Sequence, residues 1–223
     1  MTQLEIACFN SESALIAQKN GADRVELCAN MRQGGTTPTF ETIKHVRSQL
    51  HIDLYVMIRP RGGNFVYSNA EFEKMKNEIR ALKKIQINGF VFGILNKDNS
   101  INKIQNSELV ELAKPFPCTF HRAFDLVLNP LEALEKIIEC DFQTILTSGN
   151  APNVNNGMHQ LEILVQKSNK RINIMAGGGL RSSNLGYLKS KTKATHFHSS
   201  AITDDSEIAN AIEIQKLKTI LNA

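Results

Sequence analysis

Residues 118–125 read CTFHRAFD, a stretch that opens apolar and β-branched and ends in an imidazole, a guanidinium and a carboxylate. Ionisable side chains are costly in a packed interior unless they are paired or solvated. His121, Arg122 and Asp125 therefore mark either a site or an internal network. His121 with Asp125 fits an oriented general acid or base, and it fits a plain structural hydrogen bond equally well. Arg122 alternates against His121 and is expected to point outward, toward a helix carboxylate. Glu26, Arg59 and His198 belong with the same group. Arg59 suits a carboxylate or phosphate clamp, and Glu26 suits a base or counter-charge. Glu26, His121 and His198 together suit a hard divalent ion. The plainer reading is that Glu26 with Arg59, or Glu5 with Arg24, form ion pairs that only fill the interior. His196 reads as a core histidine.

A second group is rich in small residues: Ser148 and Gly149, then Gly177, Gly178 and Gly179, then Ser199 and Ser200. Successive glycines let backbone N–H groups approach an anion closely. Ser182 and Ser183 add hydroxyls. The competing reading is a tight turn after a strand.

What brings these groups together is an alternation. Short β-branched runs occur at 4–9, 24–29, 54–60, 89–95, 118–124, 144–149, 173–178 and 196–201, each followed by a stretch of helical periodicity. Helix starts are expected after Ser11, after Thr39, at Ser68 (running to about residue 87), at Asn129-Pro130, after Ser182 or Ser183, and at Asp204 or Asp205; Gly21 is expected just past the end of the first helix. Eight strand–helix units in one chain predict an α/β fold, a single (β/α)8 TIM-type barrel covering residues 1–223 as one domain. An open doubly wound sheet is the competitor, but no dinucleotide fingerprint follows the first strand. In such a barrel the site lies at the C-terminal ends of the strands. Of seven strands with polar clusters, six carry them at that end (Glu26; Arg59 with Arg61; His121, Arg122 and Asp125; Thr147, Ser148 and Gly149; Gly177, Gly178 and Gly179; His198, Ser199 and Ser200), and Glu5 alone lies early. No strand carries a lysine, which argues against Schiff-base chemistry.

The net charge of +4 comes from basic residues spread along the chain, the densest run being KSKTK at 189–193. Nucleic-acid binding would want a broader basic stripe, so no nucleic-acid partner is expected. No 18-residue apolar run exists and the N-terminus lacks a leader pattern, which predicts no membrane partner and a cytoplasmic location. Cys8, Cys28, Cys118 and Cys140 contain no C-x-x-C pair and are expected to stay reduced.

The motifs NGADRVELC, GGTTP, IRPRGG, TFHRAFD, LTSG and AGGG, in this order between residues 4 and 201, resemble the CutC family of copper homeostasis proteins. The resemblance implies a cytoplasmic TIM-type barrel that self-associates as a dimer or tetramer and binds copper as Cu(I). It also implies a pair of cysteine ligands, one late in each of the first two strands. Cys28 holds the second position. The first falls on Ala7, with Cys8 one residue later. Strand parity places Cys28 on the face of Glu26 and Cys8 on the opposite face, unless a bulge intervenes. Cys118 is too early in its strand to replace it. The segment after the last strand is also shorter than in the family. Copper binding is thus one expectation. An enzyme acting on a small anionic or phosphorylated substrate by acid/base chemistry at the barrel mouth is the alternative, and a barrel plugged by its own side chains is the plainest.

Overall fold

The alternation closes on itself. In the computed structural model, which describes residues 2–223, eight parallel strands form one closed barrel in chain order. They are β1 (Gln3–Cys8), β2 (Arg24–Leu27), β3 (Asp53–Met57), β4 (Gly89–Phe92), β5 (Cys118–Phe120), β6 (Thr144–Thr147), β7 (Asn173–Gly177) and β8 (His196–Ser199). Between and after them run α1 (Ser11–Lys19), α2 (Phe40–Gln49), α3 (Asn69–Leu82), α4 (Lys103–Ala113), α5 (Pro130–Glu139), α6 (Met158–Ser168), α7 (Ser182–Thr192) and α8 (Ala211–Asn222). This is the predicted TIM-type barrel; Met1 of the predicted 1–223 span lies outside the described residues.

Alternation along each strand builds two cores. Leu4, Ile6 and Cys8 of β1, Val25 and Leu27 of β2, and Leu54 and Val56 of β3 face the helices. There they pack with residues such as Ala14, Ile43, Val46 and Ile79. Each such side chain contributes roughly 1.5–3 kcal/mol on burial. The opposite faces carry Glu5, Arg24, Glu26, Tyr55 and Met57 into the barrel, where all are buried.

Several helix ends match their expected residues. Thr39 accepts from the Thr42 N–H, and Ser68 and Glu71 form a reciprocal capping box. Pro130 is the first residue of α5, and Gly21, at φ +95°, follows α1. Others differ. Asn10, not Ser11, caps α1, and Arg181 precedes α7. The eighth helix opens at Asn210 rather than at Asp204 or Asp205. Residues 204–208 instead dock on the start of α1: the Glu207 carbonyl accepts from Asn10 Nδ2 at 2.8 Å, and the Ala209 N–H donates to Ser13 Oγ at 3.0 Å.

The fifth strand also stops early. It ends at Phe120, and a 3-10 turn covers Arg122–Leu126 because the His121 ring accepts the Ala123 N–H at 3.3 Å. This turn sets the directions of the polar groups in CTFHRAFD.

Candidate functional site

The C-terminal ends of the strands surround a cavity of ≈ 240 Å³. Its β1, β2 and β8 side carries Ala7, Glu26, Cys28, His198, Ser199 and Ser200. Met57, Arg59, His121 and Arg122 come from β3 and β5, and Gly178, Gly179 and Arg181 from the loop after β7. Phe9 and Phe65 add apolar walls. The mouth is open, not plugged.

Beneath the cavity runs a charged chain. Arg24 Nε meets Glu5 Oε2 at 2.5 Å, Glu5 Oε1 meets His198 Nδ1 at 2.7 Å, and His198 Nε2 lies 3.8 Å from Glu26 Oε2. Arg24 also lies 4.0 Å over the Tyr55 ring. Burial would raise the Glu5 pKa, but Arg24 and His198 outweigh it and hold it at about 2. Glu5 is therefore ionised, accepts the His198 Nδ1–H, and leaves Nε2 facing Glu26. Burial alone would lower the His198 pKa, yet the bond to Glu5 and the charges of Glu26 and Glu5 raise it. Glu26 lacks such a partner. Burial pushes it up to about 7 against the lowering pull of His198 and Arg24, and its Oε1 has no hydrogen-bond partner. Glu5, Glu26 and His198 each offer one ligand atom, all within 4.8 Å of one another. Glu5 thus stands where the sequence reading put His121 in a hard-metal set, because β1 and β8 are hydrogen-bonded neighbours.

His121 and Asp125 are not joined. Asp125 receives Arg122 Nε at 2.7 Å, Thr147 Oγ1 at 2.5 Å, Ser148 Oγ at 2.9 Å, the Ser148 N–H at 3.0 Å and the Asn150 N–H at 3.2 Å. Its carboxylate is saturated by β6 and the loop beyond it. His121 is 3% exposed and packs 4.7 Å from the Phe65 ring. Burial first, then the Arg59 charge, lowers its pKa to about 3. The ring is neutral at pH 7. Because Nδ1 accepts from Ala123, Nε2 carries the proton, and it has no partner among the described residues. His121 is therefore a donor in waiting and a poor base.

Arg59 does not present an open fork. Nη1 donates to the Gln33 and Gly35 carbonyls at 2.8 Å each, and Nη2 to the Gly63 carbonyl at 2.9 Å. Its charge, 96% withdrawn from solvent, meets no carboxylate within 4.0 Å among the described residues. Arg122 points into the mouth rather than to a helix carboxylate. Arg181, which the sequence reading did not single out, lines the same wall. Its Nη1 and Nη2 donate to the Leu180 and Ile202 carbonyls at 2.8 and 2.7 Å.

The small residues divide. Gly178, Gly179, Ser199 and Ser200 line the cavity; Ser148, Gly149 and Gly177 do not. Ser148 is consumed by Asp125. Gly149 lies against Gly157, whose carbonyl oxygen a Cβ would meet at 2.3 Å, and a Cβ at Gly177 would strike Leu146 and His198. Ser199 Oγ donates to the Leu180 carbonyl. Ser182 gives its N–H and hydroxyl to Glu213.

The two cysteines fall on opposite sides of the wall. Cys8 joins the helix-facing core, its thiol 3.5 Å from the Ile6 carbonyl. Cys28 packs with Met57, Tyr55 and Phe9 and lines the cavity, its thiol beside the Glu26 carboxyl. Burial and the Glu26 charge raise the Cys28 pKa, so the free thiol is protonated. Met57, a second sulfur at the mouth, was visible only as an apolar residue in a strand.

Residues 2–203 match the model of the CutC family. A human copper homeostasis protein cutC homolog is 41% identical over 198 residues, covering 89% of this chain and 72% of that protein. The family protein CutC of Proteus mirabilis is 45% identical over 185 residues, 83% of this chain and 74% of that one. The crystal structure of a CutC protein from Streptococcus agalactiae superposes with a TM-score of 0.87 at 32% identity, over 91% of this chain and all of that one. Phosphoribosylanthranilate isomerase of Thermotoga maritima shares the fold alone, with a TM-score of 0.69 at 14% identity.

Proposed function

The chain belongs to the CutC family, and from that premise we propose that it serves copper homeostasis by binding one Cu(I) as cargo at the barrel mouth. The supporting observation is the position of Cys28. Its thiol lines the cavity beside Met57 and Glu26, on the wall that also presents His198 Nε2. Thiolate, thioether and imidazole are the donors a soft ion prefers. Glu5 holds the histidine from behind, as carboxylates do for metal-bound imidazoles. Glu26, with one unpartnered oxygen and a pKa near 7, stands ready to take the thiol proton as the thiolate forms. Cys8, on the other side of the wall, is left out of this ligand set.

Competition of the reduced protein with a chromophoric Cu(I) chelator tests this reading. One Cu(I) per chain is expected. Cys28→Ala should weaken it by at least ~100-fold, the upper range for changes around a metal site, while Cys8→Ala binds as the wild type does. Affinity should rise with pH, since the ion displaces protons from Cys28 and His198. Equal binding by wild type and Cys28→Ala removes the site.

Among the described residues, no helix is long and apolar enough to cross a membrane. We place the protein in a reducing compartment, the cytoplasm, because the ligand must stay a thiol. Self-association, as a dimer or tetramer, is supported by Leu126, Leu128 and Leu131, all exposed around the start of α5. Light scattering should show an oligomer that Leu128→Glu dissociates; a monomeric wild type removes this part.

A further inference from the structure

The mouth holds more positive charge than copper handling explains. Arg59, Arg122 and Arg181 line it, and Glu26 is the one carboxylate on its wall. Asp125 neutralises Arg122, but Arg59 and Arg181 have no carboxylate within 4.0 Å among the described residues. Arg59 is buried and Arg181 half-buried; a buried cation without a counter-charge is costly, and an anion in the cavity would relieve that cost.

The donors are in place for one. Gly178 and Gly179 follow β7 with φ of +103° and +74°. Their carbonyls accept from the Val154 N–H and from Asn184 Nδ2, while their own N–H groups have no acceptor among the described residues. Consecutive amides in such a turn form an anion-binding nest. The glycine is required: a Cβ on Gly178 would lie 2.8 Å from Arg122 Cζ, so the guanidinium rests flat against the loop. Arg122 uses Nε on Asp125 and Nη2 on Ser148, which leaves Nη1 unused. Beside Arg122 in the chain, the His121 Nε2–H, 97% buried with its residue, has no acceptor among the described residues.

We propose that this wall is a binding site for a small phosphomonoester: the phosphate on the Gly178 and Gly179 amides with Arg122 and Arg181, and a polar group of its short carbon body on His121. The site adjoins His198 and Ser199 of β8, since Arg181 Nη1 also donates to Ser199 Oγ at 3.2 Å, but it uses neither Cys28 nor Met57 and does not rest on the copper reading. A cavity of ≈ 240 Å³, below the ~300–1,000 Å³ of drug-sized pockets, limits the body to a few carbons and excludes nucleotides.

Calorimetry on the copper-free, reduced protein in phosphate-free buffer tests this, with glycerol 3-phosphate, inorganic phosphate, acetate and glycerol as probes. Glycerol 3-phosphate should bind one per chain, more tightly than phosphate, weaken with added salt, and raise the Tm; acetate and glycerol should give no saturable heat. Arg122→Gln should weaken it by about tenfold or more, the effect of losing a charge-assisted hydrogen bond. His121→Asn keeps an acceptor for the Ala123 N–H and removes the Nε2 donor; it should weaken glycerol 3-phosphate about tenfold while leaving inorganic phosphate unchanged. His121→Gln, which returns an N–H near Nε2, should recover most of that loss. Absence of saturable binding overturns the proposal. So does inorganic phosphate binding as well as its ester, or binding indifferent to all three variants, which would mark an adventitious ion only.

Discussion

Arg24→Met should destabilise the protein by about 3–5 kcal/mol at pH 7, the cost of breaking a buried ion pair and leaving Glu5 with His198 alone. Glu5 is fully buried and Arg24 is 4% exposed, so solvent does not screen the loss. The depressed pKa leads to a figure of the same size. A carboxyl held at about 2 rather than 4.5 contributes about 3 kcal/mol. The sign follows from the depression: the contribution is complete above pH 4.5 and is lost as pH falls through about 2. In Arg24→Met Glu5 keeps only His198 as a partner and binds a proton more readily than in the wild type. The gap between variant and wild type therefore narrows as the solution is acidified. The double variant Glu5→Gln/Arg24→Met should recover much of the loss, since a neutral pair removes the uncompensated charge while the introduced amide oxygen still accepts from His198. Urea denaturation at several pH values measures all three. A constant gap from pH 7 to pH 3, or no recovery in the double variant, would mean that the methionine itself, and not the orphaned charge, disrupts the barrel.

Parity carried much of the site. Once eight strands are assigned, alternation alone sends Glu5, Ala7, Glu26 and Cys28 inward and Cys8 outward, and the side chains lie so in the barrel. Side-chain partnerships were less legible, because they depend on neighbours distant in the chain. Asp125 is four residues from His121, but its partners Thr147, Ser148 and Asn150 are 22 to 25 residues away. The early end of β5 is a local event that β-propensity does not register: one imidazole nitrogen captures the Ala123 N–H and turns the chain. Arg181 has no signal in the sequence beyond its place after a glycine run. Only the packing of Leu180, Ser199 and Ile202 around it turns it toward the cavity. The stretch DDSE at 204–207 carries a good helix-start composition, yet its backbone is better satisfied on α1.

The cavity brings two chemistries into contact. Cys28, Met57 and His198 lie among guanidinium groups: Arg59 donates to the carbonyl of Gly35, which packs beside the Cys28 thiol, and Arg181 donates to Ser199 of β8. Keeping Arg59 buried with no carboxylate within 4.0 Å among the described residues adds cost to the folded state.

Part of that cost is readable in acid. His121 is neutral and buried in the folded chain, with a pKa of about 3 against an ordinary 6.5, set first by burial and then by the Arg59 charge. Between these values the unfolded chain binds a proton that the folded one refuses, so stability must fall with falling pH. At 1.36 kcal/mol per pH unit, this single ring accounts for a loss on the order of 4 kcal/mol between pH 6.5 and pH 3. His196, also depressed, to about 4, acts in the same direction, while His198, raised, acts oppositely; a difference measurement cancels both. His121→Asn does not titrate. At pH 7 it should be less stable than the wild type by about 1–2 kcal/mol, for the space left beside Phe65 and Phe120. As pH falls below 6.5 the wild type loses stability faster, and the two denaturation midpoints should cross between about pH 5.8 and pH 5. The crossing separates a ring kept neutral by its surroundings from one that packs as an inert filler, for which the two curves would run parallel down to acid unfolding. It also bears on the phosphomonoester site, because a neutral ring with Nδ1 occupied keeps its proton on Nε2 across the whole physiological range.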